Sequence, residues 1–503
     1  MSSNSPVTIL TTHKVQCADK SSLARVACPF LLGPFDHLLP PSASIAVVFI
    51  WRRRLESDCP TGGQIISFDL LHLALSRLLD FYPHLTGRVR INAKDGSTEI
   101  HQLGEGAELH GAMCDSPLRQ DIPQLAPEDI PRQGNALVAK FDGTLEGVAK
   151  EPILNIQHTR FRCGSVSLGV RLNHSVCDAY GFSQLMEDLA DIYRGLRMGI
   201  SLEFAQPWQL PCVASYLSVV DLSAHDSKEA LKAKPADYHV EEAPMAMPFM
   251  SDKPVTGKLL YFSQDELLAL KNAASNTLQG QWVSTFEALS AHLWLSVQRA
   301  RIHYQNITKS DTDACEETAD LLTSLDWRPP SRMCLPPRYF PNAVSEPYIT
   351  LPLNDLSDNS LPKIARTIHE TLRGRTSAEQ HETLSWVRAQ QDKKNISLRC
   401  RFNDKSFIIS QWNKLNMYGI YFDVDKDGHP ILPDRVWPPF TKDSLVDGLA
   451  YLLPTSHKTS TGISNSDIEV ALSLHEPLWD ILESDTHYRK FHKKIDTSSL
   501  CPA

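Results

Sequence analysis

Long apolar runs are missing from this chain. No stretch approaches the ~20 consecutive apolar residues that a membrane-crossing helix needs, so no membrane span is expected. The opening Met1-Ser2-Ser3-Asn4-Ser5-Pro6 has neither the basic nor the apolar region of a secretory signal, and the expected compartment is the cytoplasm. The eleven cysteines, at positions 17, 28, 59, 114, 163, 177, 212, 315, 334, 400 and 501, form no CxxC pair. That spacing fits neither a zinc site nor a disulfide framework. Without a signal, Asn306-Ile307-Thr308 and Asn395-Ile396-Ser397 read as chance matches to the glycosylation pattern. Basic charge is also scarce: 50 Lys and Arg against 59 Asp and Glu give a net charge of −9, which lends a nucleic-acid role no electrostatic support. The short clusters Arg52-Arg53-Arg54 and Lys393-Lys394 read as solvated faces. No GxSxG elbow marks a serine hydrolase, and no histidine and carboxylate spacing resembles a metal-ligand set.

What the chain does have is material for two cores. At 503 residues it suggests two domains or two fused halves. Leu71, Leu75, Leu78, Leu79 and Tyr82 share one stripe of a helix expected over 65–82, stopped by Pro83. Strand material follows at 87–91 and again over 153–172, broken by a turn near Cys163-Gly164. Phe182, Leu185, Met186, Leu189 and Tyr193 recur at helical spacing up to Gly195. Prolines then gather between 199 and 258, which suits a crossover linking two halves. Ser284-Thr285-Phe286-Glu287 reads as a capping box opening a helix to Arg301. The polar run 310–319 reads as an exposed loop. A helix is expected over 361–375, strands over 406–412 and 467–474, and a last helix over 476–482.

Val166, Leu168, Val170 and Leu172 share one face of a strand, so His174 starts on that face just as regular pairing stops. An imidazole there can be held at a cavity edge with a pKa suited to taking a proton from an alcohol or amine. Cys177, inside the same stretch, reads as a small buried filler.

His174-Ser175-Val176-Cys177-Asp178-Ala179-Tyr180-Gly181 resembles the HxxxD motif of the BAHD acyl-CoA-dependent acyltransferases. The resemblance runs colinearly along nearly the whole chain. Leu32-Gly33-Pro34-Phe35-Asp36 resembles the family's opening segment, and Tyr82-Pro83-His84-Leu85-Thr86-Gly87-Arg88 its YPxxGR element with one extra residue. Arg160-Phe161-Arg162-Cys163-Gly164 resembles the approach to the histidine strand, and residues 283–294 the helix of the second half. Asp326-Trp327-Arg328, Tyr339-Phe340-Pro341-Asn342-Ala343 and Asp467-Ile468-Glu469-Val470-Ala471-Leu472 resemble later elements. One element departs: where the family has DFGWG, this chain has Tyr421-Phe422-Asp423-Val424-Asp425, with Asp423 or Asp425 as the candidate carboxylate. In that degeneracy the chain looks like the fungal secondary-metabolite branch.

The resemblance implies an α/β fold of two chloramphenicol-acetyltransferase-like halves, each a mixed β-sheet flanked by helices, with the active site in a channel between them. The halves would be 1–200, carrying the motif, and 258–503, joined by a crossover at 201–257. It implies His174 as general base in acyl transfer from acyl-CoA, most simply acetyl-CoA, to a hydroxyl of a small secondary metabolite, with no covalent intermediate and no permanently bound cofactor. Asp178 is expected to pair with Arg328 and hold the histidine loop rather than orient the imidazole as in a serine triad. Ser410 or Trp412 would supply an oxyanion donor, and Asn342 would contact the coenzyme or shape the channel. Gly181 would keep the helix from crowding the strand. A monomer with only small-molecule partners is expected. The alternatives are N-acylation with the same base, a condensation-type reaction, against which Asn173 replaces the usual first histidine, and a catalytically silent binding or scaffold member.

Overall fold

The computed structural model describes residues 6–53, 64–122, 125–199, 209–217, 223–242, 253–275, 281–308, 318–358, 360–400, 403–442, 444–456 and 467–492. Two six-stranded mixed sheets organise the chain. The first runs Val7–Val15, Ala107–Cys114, Leu154–Phe161, Val166–Asn173, Ser44–Trp51 and Arg435–Trp437, antiparallel except where Ala107–Cys114 meets Leu154–Phe161. The second runs Val255–Phe262, Ile468–His475, Leu449–Leu453, Phe407–Gln411, Thr318–Thr323 and Tyr348–Pro352. Phe407–Gln411 is parallel to both of its neighbours.

Helices cover these sheets because their apolar stripes have nowhere else to go. Phe68–Leu79, narrower than the 65–82 expected, buries Leu71, Ala74, Leu75, Leu78 and Leu79 and packs on Ala179–Arg197. In the second half Thr285–Thr308 is sandwiched by Gln264–Ala274, Leu361–Gly374 and Leu478–Ser484. Its expected capping box forms: Ser284 N–H donates to Glu287 Oε2 at 2.6 Å, and Glu287 N–H to Ser284 Oγ at 3.2 Å. The helix outruns the expected end by two turns, and a further helix, Ser377–Ala389, follows the one at Leu361–Gly374. Most of the polar run 310–319 lies outside the described residues, but Thr318 and Ala319 already belong to a strand. The described part of the crossover carries a helix, Ala224–Ala230, and a short strand, Tyr238–Val240, paired with Ile396–Leu398.

The two lobes are stitched by the chain's own path. Arg435–Trp437, from the later part of the chain, adds the last strand to the first sheet. Beside it, Arg52 pairs with Asp434 at 3.1 Å, and Arg435 pairs with Glu469 of the second sheet at 2.8 Å, both largely shielded from water. Among the described residues no helix is long and apolar enough to cross a membrane.

Candidate active site

The strand Val166–Asn173 is buried at every position, on its polar face as well as its apolar one, because the sheet is covered on both sides. At its end Asn173 makes the turn. Asn173 Oδ1 accepts from Ser175 N at 2.9 Å and from Ser175 Oγ at 2.5 Å, while Asn173 Nδ2 donates to Pro41 O at 3.0 Å. His174 is then fixed by its backbone on both sides: its N–H donates to Ala43 O at 2.9 Å, and its carbonyl accepts from Asn342 Nδ2 at 2.9 Å. The imidazole keeps some exposed surface, while its Nδ1 is buried without a hydrogen-bond partner among the described residues. Burial pulls its pKa below the usual histidine value, against the charge of Asp178 and nearby hydrogen bonds, so the neutral base form is favoured.

Asp178 is spent elsewhere. It caps the helix Ala179–Arg197, accepting from Tyr180 N at 3.1 Å and Gly181 N at 3.2 Å. Arg328 grips the same carboxylate with two parallel bonds, each 2.9 Å, and Ala343 N donates to Oδ2 at 2.9 Å. With five donors on two oxygens, nothing remains for His174. Arg328 also donates to Tyr339 O at 3.3 Å and Pro341 O at 2.8 Å, so one side chain ties the histidine loop to the Tyr339–Ala343 stretch of the second half. Gly181 is needed here, though not against the strand as expected. A Cβ on it would lie 2.2 Å from the carbonyl oxygen of Phe340.

Asn342 corrects an expectation. It is fully buried and does not line the cavity, so it is in no position to touch a coenzyme. Instead its Nδ2 bridges Asp36 Oδ1, at 2.8 Å, and the His174 carbonyl. Asp36 also accepts from Asn342 N at 3.1 Å and Gly33 N at 2.7 Å, and burial pushes its carboxyl up to about 7. Asp36 was visible in the Leu-Gly-Pro-Phe-Asp segment, but its role depends on a partner far along the chain.

His174, Asp178, Arg328, Ser410 and Trp412 all line one cavity of about 1220 Å³, with walls from both sheets. Trp412 donates its indole N–H to Ser410 Oγ at 3.1 Å, so the indole is not itself the free donor; the Ser410 hydroxyl hydrogen remains available. Cys177 faces the core, wholly buried, and burial holds its thiol well above the ordinary value, which removes it as a nucleophile. Ala46 lies opposite Arg171 in the first sheet, and Pro438 and Pro439 continue the strand that pairs with Val48 at Trp437. These residues, with Ser44 and Thr441, line the cavity. Arg328, Pro329, Arg332, Lys271, Trp282 and Arg373 line it as well. Lys271, Arg332 and Arg373 have no carboxylate within ion-pair distance among the described residues. Arg373 stacks on the half-exposed Trp282 at 5.5 Å, and Arg332 on Trp327 at 5.3 Å. Isolated cations give no periodic signal, and the sequence did not mark them.

The segment 421–425 serves the scaffold. Phe422 is buried edge-on against Trp51 and Tyr193. Asp423, buried and raised in pKa for that reason, pairs with Arg197 at 2.7 Å and accepts from Ile66 N at 2.7 Å. Ile66 is a β-branched residue at φ 47°, a conformation that costs of order 1–3 kcal/mol and persists because both of its backbone polar groups are held. His158 Nε2 holds the other at 2.7 Å. Asp425 organises an exposed turn, accepting from Asp427 N and His429 N.

The structure thus presents a histidine at the edge of a cavity shared by two mixed sheets, with its neighbouring carboxylate committed to an arginine. The chain belongs to the Transferase family, the BAHD acyl-CoA-dependent acyltransferases, whose model matches residues 5–475. It is 25% identical over 475 residues to hydroxycinnamoyltransferase 2 of Oryza sativa subsp. japonica, covering 92% of this chain and 93% of that protein. It is 25% identical to shikimate O-hydroxycinnamoyltransferase of Nicotiana tabacum, with coverages of 79% and 84%, and 28% identical to anthranilate N-benzoyltransferase protein 1 of Dianthus caryophyllus, with coverages of 63% and 65%. These relatives are plant proteins. Among solved structures, vinorine synthase superposes with a TM-score of 0.65 at 16% identity, covering 97% of this chain and 98% of that one. F. graminearum TRI101, complexed with coenzyme A and deoxynivalenol, gives 0.64 at 20% identity, covering 92% and 99%. Both likenesses carry the fold.

Proposed function

We propose that this protein moves an acyl group from acyl-CoA directly to a hydroxyl of a small secondary metabolite, with His174 as the base. The observation that carries this reading is the pairing of a base-form imidazole, open to a cavity walled by both sheets, with a carboxylate fully engaged elsewhere. His174 Nε2 takes the acceptor proton as the oxygen attacks the thioester carbonyl; the C–S bond breaks, and the imidazolium returns its proton to the departing thiolate. Ser410, with its oxygen already accepting from Trp412, is oriented as a donor to the transient oxyanion. The Cys177 thiol is buried and held well above its ordinary pKa, and the Ser175 hydroxyl is bonded to Asn173 Oδ1, which supports transfer without an acyl-enzyme.

Lys271, Arg332 and Arg373, which have no carboxylate within ion-pair distance among the described residues, support a reading in which they and Trp282 hold the coenzyme's phosphates and nucleotide, with the acceptor beside Ser44 and Pro438. Acetyl is the simplest donor. Ile45, Trp412, Tyr451 and Pro439 would also pack an aromatic acyl group of the kind named in the plant relatives. An amine acceptor would use the same base. The protein is taken to work as a monomer in the cytoplasm.

Two outcomes are expected. Combining Lys271→Glu with Arg373→Glu raises KM for acyl-CoA by about a hundredfold, each lost phosphate contact being worth about 1.4 kcal/mol, with kcat within about twofold. Unchanged KM in steady-state kinetics would remove the phosphates from these cations. Because the His174 pKa is lowered, kcat/KM stays on its plateau through neutral pH and falls only below the ordinary histidine value of about 6.5. An acid limb centred above 7 in the pH profile would contradict it.

A further inference from the structure

Glu346 carries a partly buried carboxyl that acyl transfer leaves unused. It follows Val344–Ser345, a short strand paired antiparallel with Leu325–Asp326, Leu325 opposite Ser345. Thr323 N–H donates to Pro347 O at 3.1 Å, so the register continues and sets Ser324 opposite Glu346. Opposed residues of an antiparallel pair share a face, and both of these line the cavity. Thr323 lines it too, 3% exposed, with its Oγ1 lacking a hydrogen-bond partner among the described residues.

The carboxyl is anchored at one oxygen. Glu346 Oε2 accepts from the Tyr238 hydroxyl at 3.0 Å, and that hydroxyl oxygen accepts the Glu346 N–H at 2.9 Å. Tyr238 is 1% exposed, which leaves Oε1 as the oxygen available to the cavity. The charged groups around it are already matched. Asp237 pairs with Arg375 at 2.6 Å, and Asp326 engages Arg328 at 3.2 Å. No cation lies within ion-pair distance of Glu346 among the described residues. Burial, with the charge of Asp237 adding to it and the Tyr238 hydrogen bond opposing, pushes its pKa up to about 8. Near neutral pH it therefore carries a proton.

A neutral carboxyl donates through its O–H and accepts through its C=O, the complement of a secondary amide. Glu346 and Ser324 line the same cavity as Arg328, Arg332 and Arg373. The pantetheine arm of a coenzyme running through that cavity carries two secondary amides. Resting on the acyl-CoA reading above, we propose that Glu346, with Ser324 opposite it, holds an amide of the pantetheine arm.

Calorimetric titration of the full chain with coenzyme A, and with 3′,5′-ADP, which lacks the arm, tests this between pH 7 and 9. Wild-type affinity for coenzyme A is expected to fall as pH passes 8, while affinity for 3′,5′-ADP does not follow it. Glu346→Gln, which keeps a donor and an acceptor, is expected to bind coenzyme A within about twofold of wild type at pH 7 and to lose the fall above 8. Glu346→Ala is expected to bind it about tenfold more weakly at pH 7, with 3′,5′-ADP unchanged, which also shows the lobe intact. Equal binding by Glu346→Ala, or a wild-type fall retained in Glu346→Gln, overturns the assignment and leaves the acyl-CoA reading standing. A wild type that binds neither ligand overturns both.

Discussion

His174→Ala is expected to lower kcat for acyl transfer by about 10²- to 10⁴-fold, the range that a positioned general base contributes. The loss should be chemical, not structural. The fold holds this residue through its backbone, by Ala43 O and Asn342 Nδ2, and neither bond involves the imidazole. Nδ1 has no hydrogen-bond partner among the described residues, so removing the ring strands no buried donor or acceptor there. Unfolding midpoints and coenzyme affinity should therefore stay close to wild type while turnover collapses. A variant keeping more than about a tenth of wild-type kcat would remove His174 from the role of base.

Arg328→Ala is expected to destabilise the protein by about 3–5 kcal/mol, the usual cost of stranding one charge of a buried ion pair. Asp178 would keep its helix-cap bonds and the Ala343 N–H but lose the two guanidinium bonds that neutralise it. The carbonyls of Tyr339 and Pro341 would lose a donor as well. Asp178→Asn removes the charge itself, so combining it with Arg328→Ala should cost less than the two changes summed, and urea unfolding of the four proteins measures this coupling. Asp178→Asn separates two roles for the aspartate. As a strut it lowers kcat by disordering the histidine loop and leaves the acid limb of kcat/KM close to its wild-type pH. An acid limb displaced by a full unit would show that Asp178 sets the imidazole's charge directly.

The histidine strand was legible because alternation and a stop coincide: Val166, Leu168, Val170 and Leu172 face one way, and Asn173 turns the chain. Asp178 and Arg328 were legible only through family resemblance, since no local pattern joins residues so far apart. Other parts left weaker marks. Ser44–Trp51 is a near-continuous apolar run that fits a buried strand or a buried helix equally well. Val7–Val15, at the sheet edge, is exposed over most of its length and carries no hydrophobic stripe. Arg435–Trp437 is three residues long, and its partner strand is at the other end of the chain. Asn342 was singled out for the wrong contact: its residue type suits a turn or a ligand, and only the tertiary fold delivers it to the His174 carbonyl and Asp36. The cations that line the cavity come from separate elements, Lys271 from one helix, Arg373 from another and Arg332 from a loop. Spacing along the chain cannot show that they converge.

The central claim is direct acyl transfer between two substrates held in one cavity. Initial rates of free thiol release from an acyl-CoA panel, with and without small hydroxylated acceptors, test it most directly. The account predicts release that requires the acceptor, saturates in both substrates and disappears in His174→Ala. Thiol release that is independent of acceptor, or equal in wild type and His174→Ala, would contradict it.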